Sequence, residues 1–411
     1  MAVSMPPLPA LAPVPGVRLA TVQAGVRYAG RDDLVLIEIP PAAAVSAVFT
    51  RNRFCAAPVQ LAQSRLRACV QAGTAPRYLL INTGNANAGT GPEGRLAAER
   101  CCAAVAEAGG VDAESVLPYS TGVIGEPLPA ERIEAAIPAL IEALDDAGWA
   151  RAAGGILTTD TVAKGITVPL PDGSGHVTGI AKGAGMIRPD MATMLAFLAT
   201  DVPVAPALLE RLLREAVEAS FNRITVDGDT STNDAVTVVA CGAGARLTAE
   251  DAPRARALGA ALREACTILA QSIVRDGEGA TRFVTVEVTG GRSAAEALEC
   301  AFTIAESPLV KTALFAGDPN WGRILAAVGR AGIEDLDVDG VSIDLVDDEG
   351  GVRVAEAGGL AAAYREVDGE RVVSKEVFTI RVDLGRGEAR EVVWTTDLSH
   401  EYVRINAEYR S

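Results

Sequence analysis

The organisation of this chain turns on fourteen consecutive residues, Lys182-Gly183-Ala184-Gly185-Met186-Ile187-Arg188-Pro189-Asp190-Met191-Ala192-Thr193-Met194-Leu195. Two glycines, one proline and three of the chain's five methionines fall within this segment. Glycine adopts backbone conformations that other residues avoid, so the segment is suited to a tight turn. Its glycines form neither a GxGxxG fingerprint nor a Walker loop. From composition alone, the segment is most typical of a tight connection between two strands, with methionine filling gaps.

Thr193 gives the same segment a second, chemical interpretation. A threonine hydroxyl is a weak nucleophile unless a base lies beside it. A threonine at the start of a chain carries its own base, because an α-amine titrates near neutral pH. A precursor exposes such a residue when the hydroxyl attacks the preceding carbonyl within a strained turn. The small Ala192 and the surrounding glycines and proline are compatible with that chemistry.

The composition is typical of a soluble globular protein with an acidic surface. The 411 residues include 37 Lys and Arg against 53 Asp and Glu, which gives a net charge of −16. This charge argues against binding to nucleic acid or anionic membranes, because phosphate groups are bound by clustered cations. Hydrophobic residues make up 49% and charged residues 22% of the chain, which excludes a mostly disordered protein. The length allows two or three domains.

The cysteines, the histidines and the N-terminal region bear on metal binding and compartment. The seven cysteines form no CxxC pair and the chain has only two histidines, so we expect no zinc site. Reduced cysteines that fill the core fit the cytosol. Residues 1–16 are rich in proline and contain no Lys or Arg, which predicts a loose arm and no secretory signal. We therefore expect a cytoplasmic protein.

Apolar periodicity predicts a layered α+β fold, because strands and helices alternate without a regular βαβ order. Buried strands are predicted at 34–39 and 78–82, and helices at 94–108, 130–147, 207–220 and 255–274. The region 293–316 is predicted to be a helix that is interrupted at Pro308. Half-buried strands are predicted at 283–288, 341–346, 377–384 and 392–396.

Several further motifs follow one another along the chain. They are INTGNANA (81–88), STGVIG (120–125), TTDT (158–161), NRITVDGDTSTND (222–234), DGEGAT (276–281), DPNWGR (318–323) and YVRINAEYRS (402–411). Together with residues 182–195 they resemble the ornithine acetyltransferase family, also called the glutamate N-acetyltransferase family of arginine biosynthesis. The resemblance extends from about Gly16 to the last residue. It implies the ArgJ/DmpA-like fold, with a layered α/β/β/α core and a smaller C-terminal α/β domain.

The resemblance implies a self-cleaving enzyme in which Thr193 is the nucleophile. Cleavage between Ala192 and Thr193 would leave a proline-rich arm (1–16) and an α-chain region (17–192) in one piece, and a β chain (193–411) in the other. The oxyanion-hole positions are matched by Thr121 and Gly122. The substrate-binding positions are matched by Thr159, Lys182, Thr193, Glu278, Asn406 and Ser411. Many members have threonine in place of Ser411, and asparagine in place of Asp190, a difference that bears on the rate of self-cleavage.

Each matched residue also has an ordinary structural interpretation. Thr121 and Gly122 are predicted to lie in a turn, where a hydroxyl and a closely approaching N–H have the chemistry to stabilise an oxyanion. Lys182 is either a solvated surface lysine or the partner of a substrate α-carboxylate. Glu278 lies in a glycine-rich turn after a predicted helix, and it is either the partner of a substrate amine or an ordinary loop residue at the C-terminal end of that helix. For the polar run 222–234 we favour a supporting, hydrogen-bonded loop.

The activity implied by the resemblance is acetyl transfer in two steps through an acetyl-Thr193 ester. The donor is N2-acetyl-L-ornithine and the acceptor is L-glutamate, with ping-pong kinetics and with no metal or organic cofactor required. Some members also use acetyl-CoA as donor, and the residues leave this point open. The implied assembly is two α and two β chains, with no nucleic-acid or membrane partner. The alternative is a related self-cleaving amidohydrolase or aminopeptidase, which passes the acyl group to water.

Overall fold

The computed structural model describes residues 2–188, 194–249 and 252–408. The chain divides into two compact units. The larger unit comprises residues 6–222 and 229–273, and the smaller unit comprises residues 1–5, 223–228 and 274–411.

The described residues form sixteen strands and eleven α-helices. The strands are β1 (Arg18–Val22), β2 (Leu34–Glu38), β3 (Ala44–Phe49), β4 (Tyr78–Asn85), β5 (Val116–Val123), β6 (Lys164–Pro169), β7 (His176–Lys182), β8 (Leu195–Thr200), β9 (Ile224–Thr225), β10 (Ala235–Ala240), β11 (Phe283–Gly291), β12 (Ser342–Asp347), β13 (Gly350–Glu356), β14 (Gly359–Leu360), β15 (Val377–Asp383) and β16 (Ala389–Thr396). The helices are α1 (Ala57–Gln71), α2 (Gly91–Gly109), α3 (Ala130–Glu142), α4 (Trp149–Gly155), α5 (Pro206–Glu218), α6 (Pro253–Arg275), α7 (Ala294–Ala305), α8 (Pro308–Ala316), α9 (Trp321–Gly329), α10 (Glu366–Val373) and α11 (His400–Ala407).

Two sheets face each other in the larger unit. One has the strand order β1-β2-β4-β5 and the other the order β3-β10-β8-β7-β6. Apolar side chains from both sheets fill the space between them, and the rings of Tyr119 and Phe197 meet there edge to face at 5.1 Å. Helices α2 and α3 cover the outer face of the first sheet, and α5 and α6 pack on the second. The predicted α/β/β/α layering is confirmed.

Helix α6 is a long apolar helix that packs against the second sheet of the larger unit. Most of its apolar residues from Ala255 to Val274 recur at helical spacing and are buried, whereas Ala260 is exposed. Leu269 packs over Gly179 in β7, where a Cβ would lie 3.3 Å from Cδ1 of Leu269 and 2.9 Å from Cγ of Leu198. The helix is long and apolar enough to cross a bilayer, but this burial is that of a core helix.

The smaller unit is built on one seven-stranded sheet of order β14-β13-β12-β15-β11-β16-β9. Helices α7 to α10 contribute to a single apolar core against this sheet. Helix α7 ends at Ala305 and α8 begins at Pro308, so the predicted interruption of the helix is confirmed. The predicted smaller C-terminal α/β domain corresponds to this unit.

Two local expectations differ from the structure. Thr121 and Gly122 lie within strand β5 and not in a turn, because β5 pairs with β4 along its whole length. Residues 6–16 are mostly exposed but are anchored at Val14, whose side chain is fully buried. The backbone N–H of Ala12 donates to Oγ1 of Thr167 at 2.9 Å, so the arm is held against the edge strand β6.

Candidate functional site

The connection from β7 to β8 joins two neighbouring strands of one sheet. The strands are antiparallel, and the last residue of β7, Lys182, lies opposite the first residue of β8, Leu195. The predicted cleavage residues Ala192 and Thr193 belong to this connection and lie outside the described residues. A cut in this connection would break the peptide chain between β7 and β8. The two strands would still be paired by the hydrogen bonds of the sheet.

Gly122 lies where β4 and β5 approach most closely. In the parallel pair β4–β5, Gly84 lies opposite Gly122, and the register shifts directly afterwards at Asn85. A Cβ at Gly122 would lie 2.3 Å from the carbonyl carbon of Gly84 and 2.5 Å from the backbone nitrogen of Asn85. Its φ of +134° is also one that side chains rarely adopt. Only glycine fits this position.

Lys182 connects the two sheets of the larger unit. Its Nζ donates a hydrogen bond to Oγ1 of Thr121 at 3.0 Å, and both residues are 8% exposed. The structure thus brings together two of the matched residues, one from each sheet. The interpretation of Lys182 as a solvated surface lysine is wrong, because the residue is buried.

A buried ion pair between Lys164 and Asp160 holds the backbone of the residue that follows Lys182. Nζ of Lys164 lies 2.7 Å from Oδ1 of Asp160, and neither side chain is exposed to solvent. Asp160 also accepts the backbone N–H of Gly183 at 2.7 Å and that of Thr158 at 3.1 Å. Burial alone would raise the pKa of Asp160, but the charges of Lys164 and Lys182 and the hydrogen bonds from Lys164 and Gly183 outweigh it and hold the pKa well below its ordinary value. Asp160 is therefore a fixed negative charge that anchors the residue after Lys182.

Thr159 is half-buried and lies beside Asp160 in the loop between α4 and β6. Asp160 itself lay within the TTDT motif, but its sequence context gave no sign of burial. Lys164, four residues later, is the only local hint of an ion pair.

Asp234 is a second buried carboxyl of the larger unit. It is 3% exposed and directly precedes β10. Burial raises the pKa of Asp234 well above its ordinary value, against the opposing effects of hydrogen bonds from Ser231 and the charge of Lys182. Sequence reasoning assigned the whole run 222–234 to a supporting loop and did not separate this residue from its neighbours.

Two further matched residues meet in the smaller unit. Nδ2 of Asn406, on helix α11, donates to Oε2 of Glu278 at 2.7 Å. Glu278 is buried in the turn that follows α6, as predicted, whereas Asn406 is exposed. The turn fits closely against α11, because a Cβ at Gly279 would lie 2.5 Å from the backbone nitrogen of Tyr402. Ser411 lies outside the described residues.

The smaller unit also contains a buried cation that sequence reasoning missed. Nζ of Lys311 donates to Oγ1 of Thr395 at 3.1 Å and to the carbonyl oxygen of Thr396. Burial lowers the pKa of Lys311 to about 8, although Asp397, Asp227 and Glu306 oppose this shift. Its place within a helix, as a lone lysine among apolar residues, is the signal that could have identified it.

Among the described residues, no group of three or more His, Cys, Asp or Glu side chains is placed to hold a metal ion.

Comparison with known proteins adds to this geometry. The family model described as "ArgJ family" matches residues 18–411. The arginine biosynthesis bifunctional protein ArgJ of Pseudomonas syringae pv. tomato is 54% identical over 415 residues, covering 100% of both chains. The protein of the same name from Pseudomonas fluorescens is 53% identical, also over 100% of both chains. A crystal structure of arginine biosynthesis bifunctional protein ArgJ from Bacillus halodurans is 38% identical, with a TM-score of 0.47, and the match covers 53% of this chain and 100% of that one.

Proposed function

Since the chain belongs to the ArgJ family, we propose that it transfers acetyl from N2-acetyl-L-ornithine to L-glutamate through an acetyl-Thr193 intermediate. Family membership makes it an acyltransferase of arginine biosynthesis. The observation that carries the finer proposal is the hydrogen bond from buried Lys182 to Thr121, next to a position that only Gly122 can fill. A cation, a hydroxyl and an unobstructed backbone amide together suit a reaction that develops negative charge.

The first event of the proposal is self-cleavage. The hydroxyl of Thr193 attacks the carbonyl carbon of Ala192, the peptide C–N bond breaks, and the resulting ester is hydrolysed by water. The products are a carboxylate at residue 192 and a free α-amine on Thr193. That amine then serves as the base for the hydroxyl of the same residue.

Acetyl transfer follows in two steps, first to Thr193 and then to glutamate. The Thr193 hydroxyl oxygen attacks the acetyl carbon, and its proton passes to the α-amine and then to the departing nitrogen of ornithine. The amine of glutamate attacks the resulting ester, and the threonine oxygen recovers a proton as N-acetylglutamate forms. In both steps the Oγ1–H of Thr121 and the N–H of Gly122 stabilise the negative oxygen.

Each remaining matched residue has a proposed binding role. Lys182 holds the α-carboxylate that ornithine and glutamate share, as a point charge in a buried setting. The carboxylate of Glu278, held by Asn406, suits the side-chain amine of ornithine. Thr159 and Ser411 complete the substrate-binding set.

The proposal extends to assembly, donor and compartment. We propose two α and two β chains per molecule, a cytoplasmic location, and small-molecule substrates with no nucleic-acid or membrane partner. The relatives carry the name "bifunctional", which indicates a second activity for those proteins, and we propose acetyl-CoA as a second acetyl donor here.

An acetyl-exchange assay tests the proposal. Purified protein is incubated with unlabelled N2-acetylornithine and radiolabelled glutamate, and labelled N-acetylglutamate is the expected product. Ornithine release at the same rate without glutamate would instead identify an amidohydrolase.

A denaturing gel should show pieces of 192 and 219 residues, and Edman sequencing should return Thr-Met-Leu-Ala from the second piece. Thr193→Ala should remain full length and inactive, whereas Thr193→Ser should retain some cleavage. An active but uncut wild-type chain would refute the maturation step.

A further inference from the structure

The hydroxyl of Ser399 connects two parts of the smaller unit, the turn that carries Glu278 and the helix that carries Asn406. Oγ of Ser399 donates to the carbonyl oxygen of Gly279, the residue after Glu278, at 2.7 Å. The same oxygen accepts the backbone N–H of Tyr402 at 3.3 Å, so Ser399 is also the N-cap of α11. The residue is 4% exposed, which leaves little room for water to replace either bond.

The turn and the start of α11 pack tightly against each other. Gly279 has a φ of +69°, and a Cβ there would lie 2.6 Å from Oγ of Ser399. Only glycine allows the backbone to approach the hydroxyl this closely. A change at Ser399 therefore acts first on Gly279 and, through the peptide bond that they share, on Glu278.

A second residue, Asp397, holds the end of the turn. Its Oδ1 accepts the backbone N–H of Thr281 at 2.8 Å and that of Arg282 at 2.9 Å. Its Oδ2 accepts the hydroxyl of Thr281 at 2.6 Å. Of these two anchors, Ser399 is the one that holds the residue directly bonded to Glu278.

The helix side of the connection leads to the same carboxylate. Nδ2 of Asn406 donates to Oε2 of Glu278 at 2.7 Å and to the carbonyl oxygen of Tyr402 at 3.0 Å. Tyr402 lies in the first turn of α11, and its N–H is the one that Ser399 caps. One hydroxyl thus fixes the backbone beside Glu278 through the turn and the amide of Asn406 through the helix.

We propose that Ser399 is a positioning residue for the ornithine half of the reaction; this inference rests on the proposed function. Ser399 holds Glu278 and Asn406 in the arrangement in which the carboxylate of Glu278 receives the side-chain amine of ornithine. The side chain of glutamate ends instead in a carboxylate, which a second negative charge does not attract. The placement of Glu278 should therefore control use of the acetyl donor and not use of the acceptor.

Three substitutions at Ser399 separate the bond to the turn from the helix cap. Ser399→Ala removes both interactions. Ser399→Asp keeps an oxygen that caps α11, but an ionised carboxylate has no hydrogen to donate to Gly279. Ser399→Thr keeps both the donor and the acceptor, so it is the variant that should restore the wild-type behaviour.

Steady-state kinetics distinguish the two halves of the reaction, because in a ping-pong mechanism kcat/KM of each substrate reports its own half-reaction. For N2-acetylornithine we expect kcat/KM to fall about 10-fold with Ser399→Ala and Ser399→Asp, the order expected when a hydrogen bond to a charged group is misplaced. With Ser399→Thr it should recover. For glutamate, kcat/KM should stay within about 3-fold of wild type in all three variants.

A donor that lacks the terminal amine gives a second readout. N-acetylnorvaline has the same side-chain carbon atoms as N2-acetylornithine but no side-chain nitrogen. The wild-type preference for N2-acetylornithine over N-acetylnorvaline should shrink about 10-fold in Ser399→Ala and Ser399→Asp. Because both donors are measured on one preparation, this ratio does not depend on the fraction of protein that is folded.

Ser293→Ala is the matched control. Ser293 is the N-cap of α7 in the same unit, and its Oγ accepts the backbone N–H of Glu296 at 3.1 Å. The substitution removes a helix cap without touching the turn that carries Glu278. It should therefore lower the melting temperature and leave kcat/KM for both substrates unchanged.

Two results would overturn the inference. One is a Ser399→Ala or Ser399→Asp protein that keeps the wild-type preference for N2-acetylornithine over N-acetylnorvaline. The other is an equal fall in kcat/KM for N2-acetylornithine and for glutamate, which a general loss of structure would produce. A wild-type protein that exchanges no acetyl between ornithine and glutamate would count against the proposed function instead, a failure visible without any variant.

Discussion

Replacing Lys164 by methionine tests the buried ion pair behind Lys182. Methionine fills a similar volume but leaves the carboxylate of Asp160 without its 2.7 Å partner in a site closed to solvent. Breaking a buried pair at one side costs about 3–5 kcal/mol. Asp160 keeps the backbone N–H groups of Gly183 and Thr158, so we expect the lower end, about 3 kcal/mol. For a unit of this size, that loss lowers the melting temperature by roughly 6–12 °C.

The pH dependence of this loss has a defined sign. The pKa of Asp160 is lowered in the folded protein, so its stabilising effect is present above the ordinary carboxyl pKa and is lost as the pH falls below it. Without Lys164 the pKa is lowered less. The difference in stability between wild type and Lys164→Met should therefore shrink as the pH falls from about 5 to about 3.

Urea unfolding followed by circular dichroism measures the effect, and the double variant Lys164→Met/Asp160→Asn is the matched control. Removing both charges leaves no unpaired ion, so the double variant should recover most of the lost stability. Its asparagine oxygen can still accept the N–H of Gly183. A single variant as stable as wild type, or a double variant no better than the single one, would refute this account of the pair.

Three further predictions address the strand connection, the glycine contact and the second buried lysine. After cleavage, the two pieces should co-elute on a sizing column without denaturant, because β7 and β8 stay paired across the cut; separate elution would contradict this. Gly122→Ala should destabilise the protein by at least about 2 kcal/mol and abolish acetyl exchange, because its Cβ would meet the β4 backbone, whereas Gly125→Ala, which has open space, should cost about 1 kcal/mol in urea unfolding. For Lys311, the lowered pKa of about 8 means that the folded state resists protonation, so stability is reduced below that pH and recovers as the pH rises toward the unfolded value. Relative to Lys311→Met, wild type should therefore gain about 3 kcal/mol between pH 7 and pH 10.5, and equal pH profiles for the two proteins would show that Lys311 does not titrate this way.

Local patterns in the sequence identified the elements whose burial is visible in a short window. The apolar runs of β2 and β4 and the periodic faces of α5 and α6 needed no partner to be recognised. The sequence Ser-Thr-Gly at the end of β5 suggested a turn, because its polar and small residues become strand only through pairing with β4.

The resemblance assigned the candidate site residues, which stay a prediction, but it did not indicate their environment. Thr121 and Lys182 were both matched, yet their contact joins two sheets and spans 61 residues, a distance that no local pattern reports. For the same reason the sequence does not distinguish Asp160 and Asp234 from their motif neighbours, since burial of a carboxyl depends on packing by distant segments. Thr193 stays a prediction.

The antiparallel pairing of β7 with β8 has a consequence for how such a molecule is made. Before the cut, one continuous chain brings these strands together, and closing the short loop between them costs little entropy. If the chain is cut as proposed, the same pairing must then form between two separate polypeptides, and recovery from denaturant would become second-order and slow on dilution. Assembly would then be a one-time event of biosynthesis, and the working enzyme would persist through slow unfolding and not through ready refolding.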